Sequence, residues 1–432
     1  MKFRPAFAPL VLVGATLTAA LLCSGCESKP TKNSAKSTAG DWPQWRGPDR
    51  SDRSPDHGLL AQWPVGGPKL HWLYKNAGLG YAGYSVVGDR LFTLGLRNDQ
   101  EFLLALDTRT GTEVWSAPAG AKYPNGWGDG PRMTPTVHDG LVYAIGGQGL
   151  LVCVQAKDGK PVWQKSLVQD LGGKLPGWGY TESPLIVGDR VIVTPGGAQG
   201  TLAALDRRTG AVLWRSAELK DEAHYSSAIH ITHGSQSQIV QLVEKRFFGT
   251  DPATGKVLWQ VDFPGRVAVI PTPIYDQGIV YVTAGYGVGC KAVKLSADGK
   301  TTETLYENNK VMKNHHGGVV LVEGYLYGHS DGYGWVCQEL ATGKEVWVHK
   351  GFGKGATHFA DGLLYCVDEK SGDVALVKAT PQGWNEQGRF KLDPLSAQRN
   401  KQGGIWPHPV VVGGKLYLRD QENLFCFDVQ GK

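Results

Sequence analysis

One pattern of eleven residues recurs along the chain and constrains its fold more than any other feature. It first runs Ala105-Leu-Asp-Thr-Arg-Thr-Gly-Thr-Glu-Val-Trp115. Further copies, some of them looser, end at Trp163, Trp214, Trp259 and Trp347. The long interval before Trp347 hides one degenerate copy around Asp298-Gly299. Each copy predicts a strand, a Thr-Gly or Asp-Gly turn, and a second strand.

A second hairpin precedes each copy, as in Val86-Val-Gly-Asp-Arg-Leu-Phe92. Four short strands in about 45 residues, without helical periodicity, are typical of a propeller blade. First strands begin near residues 84, 133, 183, 226, 269, 317, 357 and 408, and the eighth unit lacks a last strand, which Gly67-Pro-Lys-Leu-His-Trp72 supplies. The sequence therefore predicts an all-β fold, an eight-bladed β-propeller of four-stranded antiparallel blades, closed by an N-terminal strand in the last blade.

The cysteines fit this repeat better than they fit disulfides or zinc. Five follow Cys26, an odd number, and none lies in a CxxC or Cys/His pattern. Cys153 and Cys337 occupy the position that is Ala105 in the first copy, and Cys426 is assigned to the same set. We expect these cysteines to be small core residues.

The first residues predict export. A positive start and an apolar run to Leu22 form a signal peptide over residues 1–25, too short for a membrane span. The run ends in Leu-Cys-Ser-Gly-Cys26, which resembles a lipobox with Cys26 as the acylated residue, the alternative being a plain secretory peptide. Residues 26–40 read as a flexible tether, and residues 41–432 as a single propeller.

Charge excludes one class of partner. The formal net charge is +5, and removal of Lys2 and Arg4 with the signal peptide lowers it to +3. No block of like charge appears, so a nucleic-acid partner is not expected.

The repeat resembles the PQQ-type repeat of quinoprotein dehydrogenases and of BamB-like outer-membrane assembly lipoproteins. The opening Asp41-Trp-Pro-Gln-Trp-Arg-Gly-Pro48 also looks like the start of propeller lipoproteins of planctomycete-type bacteria. The resemblance implies that the repeat tryptophans dock one blade on the next. It also implies that a quinoprotein would need two adjacent cysteines and a calcium-binding acidic set, and neither stands out here.

The candidate site follows from where the first strands begin. The segments just before them should open together into a funnel on one face, and they are rich in histidine and aromatic residues. The predicted ligand-binding candidates are Arg132, Trp178, Tyr180, Glu182, Tyr225, His315, His316, His358, Trp406 and His408. The competing interpretation is packing, including an ion pair between Arg132 and Glu182. No metal ligands and no catalytic residues are assigned.

Within Asn314-His-His-Gly-Gly318, strand alternation predicts that only one histidine faces the funnel. We expect His316 to face it and His315 to lie between blades.

These features favour a lipid-anchored envelope propeller that acts as a binding or scaffold module, BamB-like, with a small polar or carbohydrate ligand or an envelope protein as partner. The alternative is a periplasmic quinoprotein-like oxidoreductase of alcohols or sugars that uses PQQ. No other cofactor is expected. The predicted location is the periplasm-facing cell envelope, and Glu27 after Cys26 favours the outer membrane.

Overall fold

The computed structural model describes residues 40–431. The predicted signal peptide, Cys26 and residues 26–39 of the predicted tether lie outside the described residues. The described part is all-β, and it has no helix that could span a membrane.

The part of the chain that the structure describes forms thirty-two strands. The first sixteen are β1 (Lys69–Tyr74), β2 (Ser85–Val87), β3 (Arg90–Arg97), β4 (Gln100–Asp107), β5 (Glu113–Ala121), β6 (Thr136–His138), β7 (Leu141–Ile145), β8 (Leu150–Gln155), β9 (Pro161–Ser166), β10 (Leu185–Val187), β11 (Arg190–Val193), β12 (Ala203–Asp206), β13 (Val212–Arg215), β14 (Ile229–His233), β15 (Gln236–Leu242) and β16 (Arg246–Thr250). The others are β17 (Val257–Asp262), β18 (Ile274–Asp276), β19 (Ile279–Ala284), β20 (Gly289–Leu295), β21 (Thr302–Asn308), β22 (Val319–Val322), β23 (Tyr325–Ser330), β24 (Gly334–Glu339), β25 (Glu345–His349), β26 (Gly355–Ala360), β27 (Leu363–Asp368), β28 (Asp373–Lys378), β29 (Glu386–Lys391), β30 (Val410–Val412), β31 (Lys415–Asp420) and β32 (Asn423–Asp428).

These strands make eight four-stranded antiparallel sheets, which confirms the predicted eight-bladed propeller. Blades 1 to 7 are consecutive sets of four from β2 to β29. Blade 8 combines β30, β31 and β32 with β1, in the order β1-β32-β31-β30, so the N-terminal strand closes the ring as predicted. The apolar cores lie between neighbouring blades, and one of them joins blade 8 to blade 1.

The repeat tryptophans connect consecutive blades. At five positions the indole Nε1 donates a hydrogen bond of 2.8 to 3.0 Å to a carbonyl of the next blade: Trp72 to Thr108, Trp115 to Ala156, Trp163 to Arg207, Trp214 to Pro252 and Trp347 to Thr380. The degenerate copy uses Tyr306, whose hydroxyl donates to the Leu340 carbonyl at 2.8 Å. Trp259 departs from the pattern, because it donates to Gln238 of its own blade at 2.6 Å, and Gln238 donates to Gly299 of the next.

The cysteine positions follow from this register. Across the sheet, each of three cysteines is paired with a tryptophan that bonds to the next blade: Cys153 with Trp163, Cys337 with Trp347 and Cys426 with Trp72. We call the ring of such a tryptophan the docking ring, and the third strand carries a small residue opposite it. All five cysteines of the described residues are buried and free of disulfides, which agrees with their predicted role as small core residues.

A stretch that the repeat does not include fills the centre of the ring. We call residues 41–54 the channel segment. Hydrogen bonds join it to the inner edge of every blade, through Val86, Val137, Pro184, Ala228, Thr272, Val319, Phe359 and His408 for blades 1 to 8 in turn. The channel segment is therefore a hub that all eight blades share.

Two buried arginines of the channel segment make several of the hydrogen bonds that join it to the blades. Arg50 donates to the Ala228 carbonyl at 2.6 Å and to the Pro184 carbonyl at 2.6 Å, and Arg46 donates to the Val319 carbonyl at 2.7 Å. These carbonyls lie just before or at the start of inner strands. Buried carbonyls need such donors, since an unsatisfied one costs about 1–3 kcal/mol.

Candidate functional site

A cavity of about 200 Å³ opens where the inner strands begin, at the face that we call the front. Its base is formed by Trp45 and Arg46 of the channel segment. Its aromatic lining is completed by Tyr81, Trp127, Trp178, Tyr225, Tyr286 and Trp406, and its charged or titratable lining by Arg132, His315, His316 and His408. No Asp or Glu is among the lining residues.

The structure brings seven of the ten predicted site residues to this cavity. They are Arg132, Trp178, Tyr225, His315, His316, Trp406 and His408. Whether they bind a ligand stays a prediction. Trp127, in the loop equivalent to that of Trp178, also lines the cavity, and with 45% of its surface exposed it stands at the mouth.

Tyr180 and Glu182 do not line the cavity, and the reason is alternation along an extended segment. Thr181 and Ser183 face the cavity, so their neighbours point between blades. The Tyr180 hydroxyl donates to the Pro195 carbonyl at 2.9 Å. Arg132 and Glu182 form no ion pair with each other, which makes that interpretation wrong as well.

His358 also lies away from the cavity, beside the channel segment. Its Nε2 accepts from the Val411 N–H at 3.2 Å, which fixes Nδ1 as the protonated nitrogen. Nδ1 then donates to Asp52 at 2.8 Å. His358 thus supports the base of the site from behind.

The prediction that only one of the adjacent histidines faces the funnel is wrong. His315 and His316 both line the cavity, with ring centroids 4.6 Å apart. The alternation argument fails because the chain bends here and β22 begins only at Val319. The bend lets two backbones approach, since a Cβ on Gly317 would lie 1.9 Å from the Gly355 carbonyl oxygen.

Each of these histidines has a charged partner behind the wall. His315 Nδ1 accepts from Lys354 at 2.7 Å, and burial, with His316 and Lys354, lowers its pKa to about 2. His316 Nε2 lies 2.8 Å from Glu369. Burial lowers the pKa of His316 although Glu369 opposes the shift, which favours the neutral ring. Its Nδ1 has no hydrogen-bond partner in the protein.

Arg132 is the cation of the opposite wall. Its Nε donates to the Trp178 carbonyl at 3.1 Å and its Nη2 to the Gly128 carbonyl at 2.5 Å. The guanidinium carbon lies 4.7 Å from the centroid of Tyr81, whose ring is 4.5 Å from that of Trp406. Arg132 forms no ion pair within residues 40–431, although Glu101 and Asp129 are near enough to act on its charge, and it faces an aromatic cavity.

The charge of Arg46 at the base is balanced, in contrast. Its Nη1 lies 3.7 Å from Asp52, whose carboxylate also contacts His358 and, at 3.4 Å, His408. Burial alone would raise the pKa of Asp52, but Arg46 and the two histidines outweigh it and hold the pKa well below its usual range. The carboxylate therefore stays ionised beneath the cavity.

Sequence reasoning missed Trp45, Arg46 and Tyr286 as lining residues. Trp45 donates to the Thr272 hydroxyl at 2.8 Å and packs edge-on against His408 at 4.6 Å. The signal for the channel segment was its density of tryptophan, arginine and aspartate ahead of the first strand. Tyr286 comes from the β19–β20 turn, where the sequence gives no sign of the direction the side chain takes.

Glu182 yields a prediction about stability and pH. Burial raises its pKa to about 7, although hydrogen bonds from Thr194 and the charge of Arg50 oppose the shift. An unfolded glutamate ionises near pH 4.3, so this carboxyl lowers the free energy of unfolding progressively between about pH 4 and 7. We expect Glu182→Gln to be more stable than the wild type at pH 8, by at most about 4 kcal/mol, with little difference at pH 4. Urea unfolding at both pH values measures this, and a difference that does not grow with pH would contradict it.

No group of three or more His, Cys, Asp or Glu side chains in residues 40–431 is placed to hold a metal ion. A calcium-bound quinone also needs carboxylate ligands on the cavity wall, and the lining offers none. The five cysteines are separate and buried in the blades. These residues do not fit the cofactor site that the quinoprotein resemblance implies.

Comparison with known proteins places this fold in a family. The family model described as outer membrane protein assembly factor BamB matches residues 99–375, more than half of the chain. The tetrathionate hydrolase of Acidithiobacillus ferrooxidans is 25% identical over 299 residues, which are 66% of this chain and 50% of that protein. The outer membrane protein assembly factor BamB of Burkholderia pseudomallei is 27% identical over 159 residues, 34% of this chain and 37% of that one. The chain thus spans half or less of the length of these two relatives.

A solved structure agrees at the level of the fold. The quinohemoprotein alcohol dehydrogenase of Comamonas testosteroni superposes with a TM-score of 0.63 at 13% identity, covering 92% of this chain and 82% of the other. At that identity the likeness concerns the fold alone. By the family match and its eight PQQ-type blades, the chain belongs to the family described as outer membrane protein assembly factor BamB.

Proposed function

We propose that this chain is an envelope β-propeller that works as a binding module, with its ligand or a segment of a partner seated in the front cavity. It is exported, anchored by lipid at Cys26, and faces the periplasm, with the outer membrane favoured over the inner. The family match and the BamB relatives support the envelope location.

The observation that carries the binding role is the construction of the cavity. The channel segment occupies the centre of the ring and contacts every blade, so the channel is a receptacle with a base. Six tryptophan and tyrosine side chains besides Trp45 line it, and few polar groups converge among them, which is the usual composition of a small-molecule site.

The experiment is an unbiased search for what the site holds. Protein purified from its native membranes is unfolded, and the released small molecules are identified by mass spectrometry, with crosslinking in intact cells to capture protein partners. A compound retained by the wild type and lost when Trp406 is changed to Ala supports a small ligand. Crosslinks from the cavity mouth to one envelope protein support the scaffold role. The absence of both would overturn the proposal.

The quinoprotein alternative has a direct test of its own. Addition of PQQ with calcium, followed by a melting curve and a dye-reduction assay with alcohols and sugars, should give neither a shift nor turnover. Dye reduction would favour the oxidoreductase role despite the poor fit of the lining residues.

Lipid anchoring predicts the behaviour of a single variant. We expect Cys26→Ala to move the protein from the membrane fraction to the soluble periplasmic fraction. The reason is that the diacylglycerol and the acyl chain that Cys26 would carry are both lost. Fractionation followed by immunoblotting measures the distribution. Cys23→Ala is the control and should remain with the membranes. Continued sedimentation of Cys26→Ala with membranes would contradict the anchor.

A further inference from the structure

The charge of the cavity indicates which ligand it takes. Arg132 lies on the wall, half-buried and without an ion pair, and it is held by the neutral carbonyls of Trp178 and Gly128. A buried charge is costly unless it is paired. No Asp or Glu lines the cavity. Glu101 and Asp129 act on the charge of Arg132 from outside the lining, but neither forms an ion pair with it, and Asp129 is paired with Lys122 at 3.0 Å.

The other polar groups do not offer a competing positive or negative charge. Arg46 is balanced by Asp52, and the lowered pKa values of His315 and His316 keep both rings neutral. One unbalanced cation therefore remains, and it matches one anionic group on a ligand.

The rest of the surface fits a flat ring better than a sugar. Tyr81 and Trp406 lie beside Arg132, and the rings of Trp178 and Tyr225 pack with centroids 5.6 Å apart. Two of the hydroxyls along the wall are already engaged, since Thr181 donates to the Tyr225 carbonyl at 2.9 Å and Thr272 accepts from Trp45 at 2.8 Å. Two buried ring nitrogens of the lining, His316 Nδ1 and Trp406 Nε1, have no partner, which suits a ligand with few polar groups better than a sugar with several hydroxyls.

The size of the cavity limits the ligand further. Its volume of about 200 Å³ lies below the range of roughly 300–1,000 Å³ that is usual for drug-sized ligands. One or two fused rings are therefore the appropriate size.

We propose that the cavity binds an aromatic carboxylate of one or two rings, with the carboxylate on Arg132 and the ring among the aromatic side chains of the mouth. This inference rests on the proposed function, because it names the ligand class of the same site. A guanidinium fork matches a carboxylate in geometry as well as in charge.

Isothermal titration of the full-length chain with matched probes tests the inference. The probes are benzoate and 2-naphthoate, their neutral amides, cyclohexanecarboxylate and glucose. We expect 2-naphthoate to bind at least about tenfold more tightly than its amide, since a charge-assisted hydrogen bond separates the two. We also expect it to bind more tightly than cyclohexanecarboxylate, which lacks the flat ring.

Two variants show whether Arg132 causes the preference. Arg132→Gln should remove the difference between acid and amide while a weaker affinity for both remains. Lys160→Gln is the control, because Lys160 is an exposed cation paired with Asp158 outside the lining, and it should keep the difference. If Arg132→Gln does not fold, Arg132→Lys replaces it, and a reduced but salt-sensitive preference for the acid is expected.

Each remaining outcome counts against the inference. Equal binding of acid and amide, tighter binding of glucose, or an unchanged preference in Arg132→Gln would overturn the ligand class and leave a binding role intact. No binding of any probe would also overturn it. The search for retained molecules then decides separately whether the proposed function fails too.

Discussion

Deletion of residues 41–75 is expected to prevent the chain from folding to a stable propeller. The deletion removes β1 and so exposes β32 as an open edge, and it removes the docking ring of Trp72 from the junction of blades 8 and 1. It also removes the channel segment, with the buried Trp42 and two buried arginines. The combined loss exceeds about 5 kcal/mol, the lower end of the net stability of an ordinary domain.

Soluble yield, circular dichroism and a thermal melt measure this effect. A chain that begins at residue 40 is the control and should melt like the full-length protein. Deletion of residues 41–54 alone keeps β1 and separates the two contributions, and we expect a closed but less stable ring. An unchanged melting temperature after removal of residues 41–75 would disprove the closure by β1.

Replacement of Asp52 is expected to have the largest effect of any single substitution discussed. The carboxylate, 2% exposed, accepts from His358 at 2.8 Å and is the counter-ion of the buried Arg46. Asp52→Asn leaves that cation unpaired among inner strands, which costs about 3–5 kcal/mol. Asparagine is the appropriate change because Asp52 has a positive φ of 64°, which asparagine tolerates and alanine does not.

The pH dependence identifies the charge as the cause. The folded pKa of Asp52 is lowered, so its stabilisation is complete above the unfolded value of about 3.9 and is lost as the pH falls below it. The difference in unfolding free energy between wild type and Asp52→Asn should therefore be large at pH 7 and smaller at pH 3. Asp49→Asn, an exposed position of the same segment, should have little effect at either pH. Equal losses for both variants would refute the role of the buried ion pair.

The blades were predictable because seven of the eight repeat the same physical solution. In these blades a small residue such as Cys153 lies opposite a tryptophan or tyrosine ring such as Trp163, whereas blade 7 has Leu376 opposite Gly388. The same logic assigned the N-terminal strand to blade 8. Even the degenerate copy obeys it, since Tyr306 replaces the tryptophan and makes the same kind of contact.

The site was predictable only in part. Entry segments could be aligned from the repeat, but which side chain of each faces the cavity depends on local bends that the repeat does not encode. Alternation turns Tyr180 and Glu182 away, whereas a bend turns both His315 and His316 inward. The channel segment has no second copy for comparison, and its contacts are with residues distant in sequence, so its role becomes visible only in three dimensions.

The route of the channel segment also determines on which face the ends of the described chain lie relative to the cavity. Asp41 bonds to the Gly88 N–H at the turn after β2, and the cavity lies at the other end of that inner strand, beside Gly83. Near the other end of the described chain, Val429 bonds to Gly414 at the corresponding turn of blade 8. Both ends of the described chain thus leave from the rear, the face opposite the cavity. A label joined directly to either of these ends would therefore lie on the face away from the cavity and leave the cavity open to the solution.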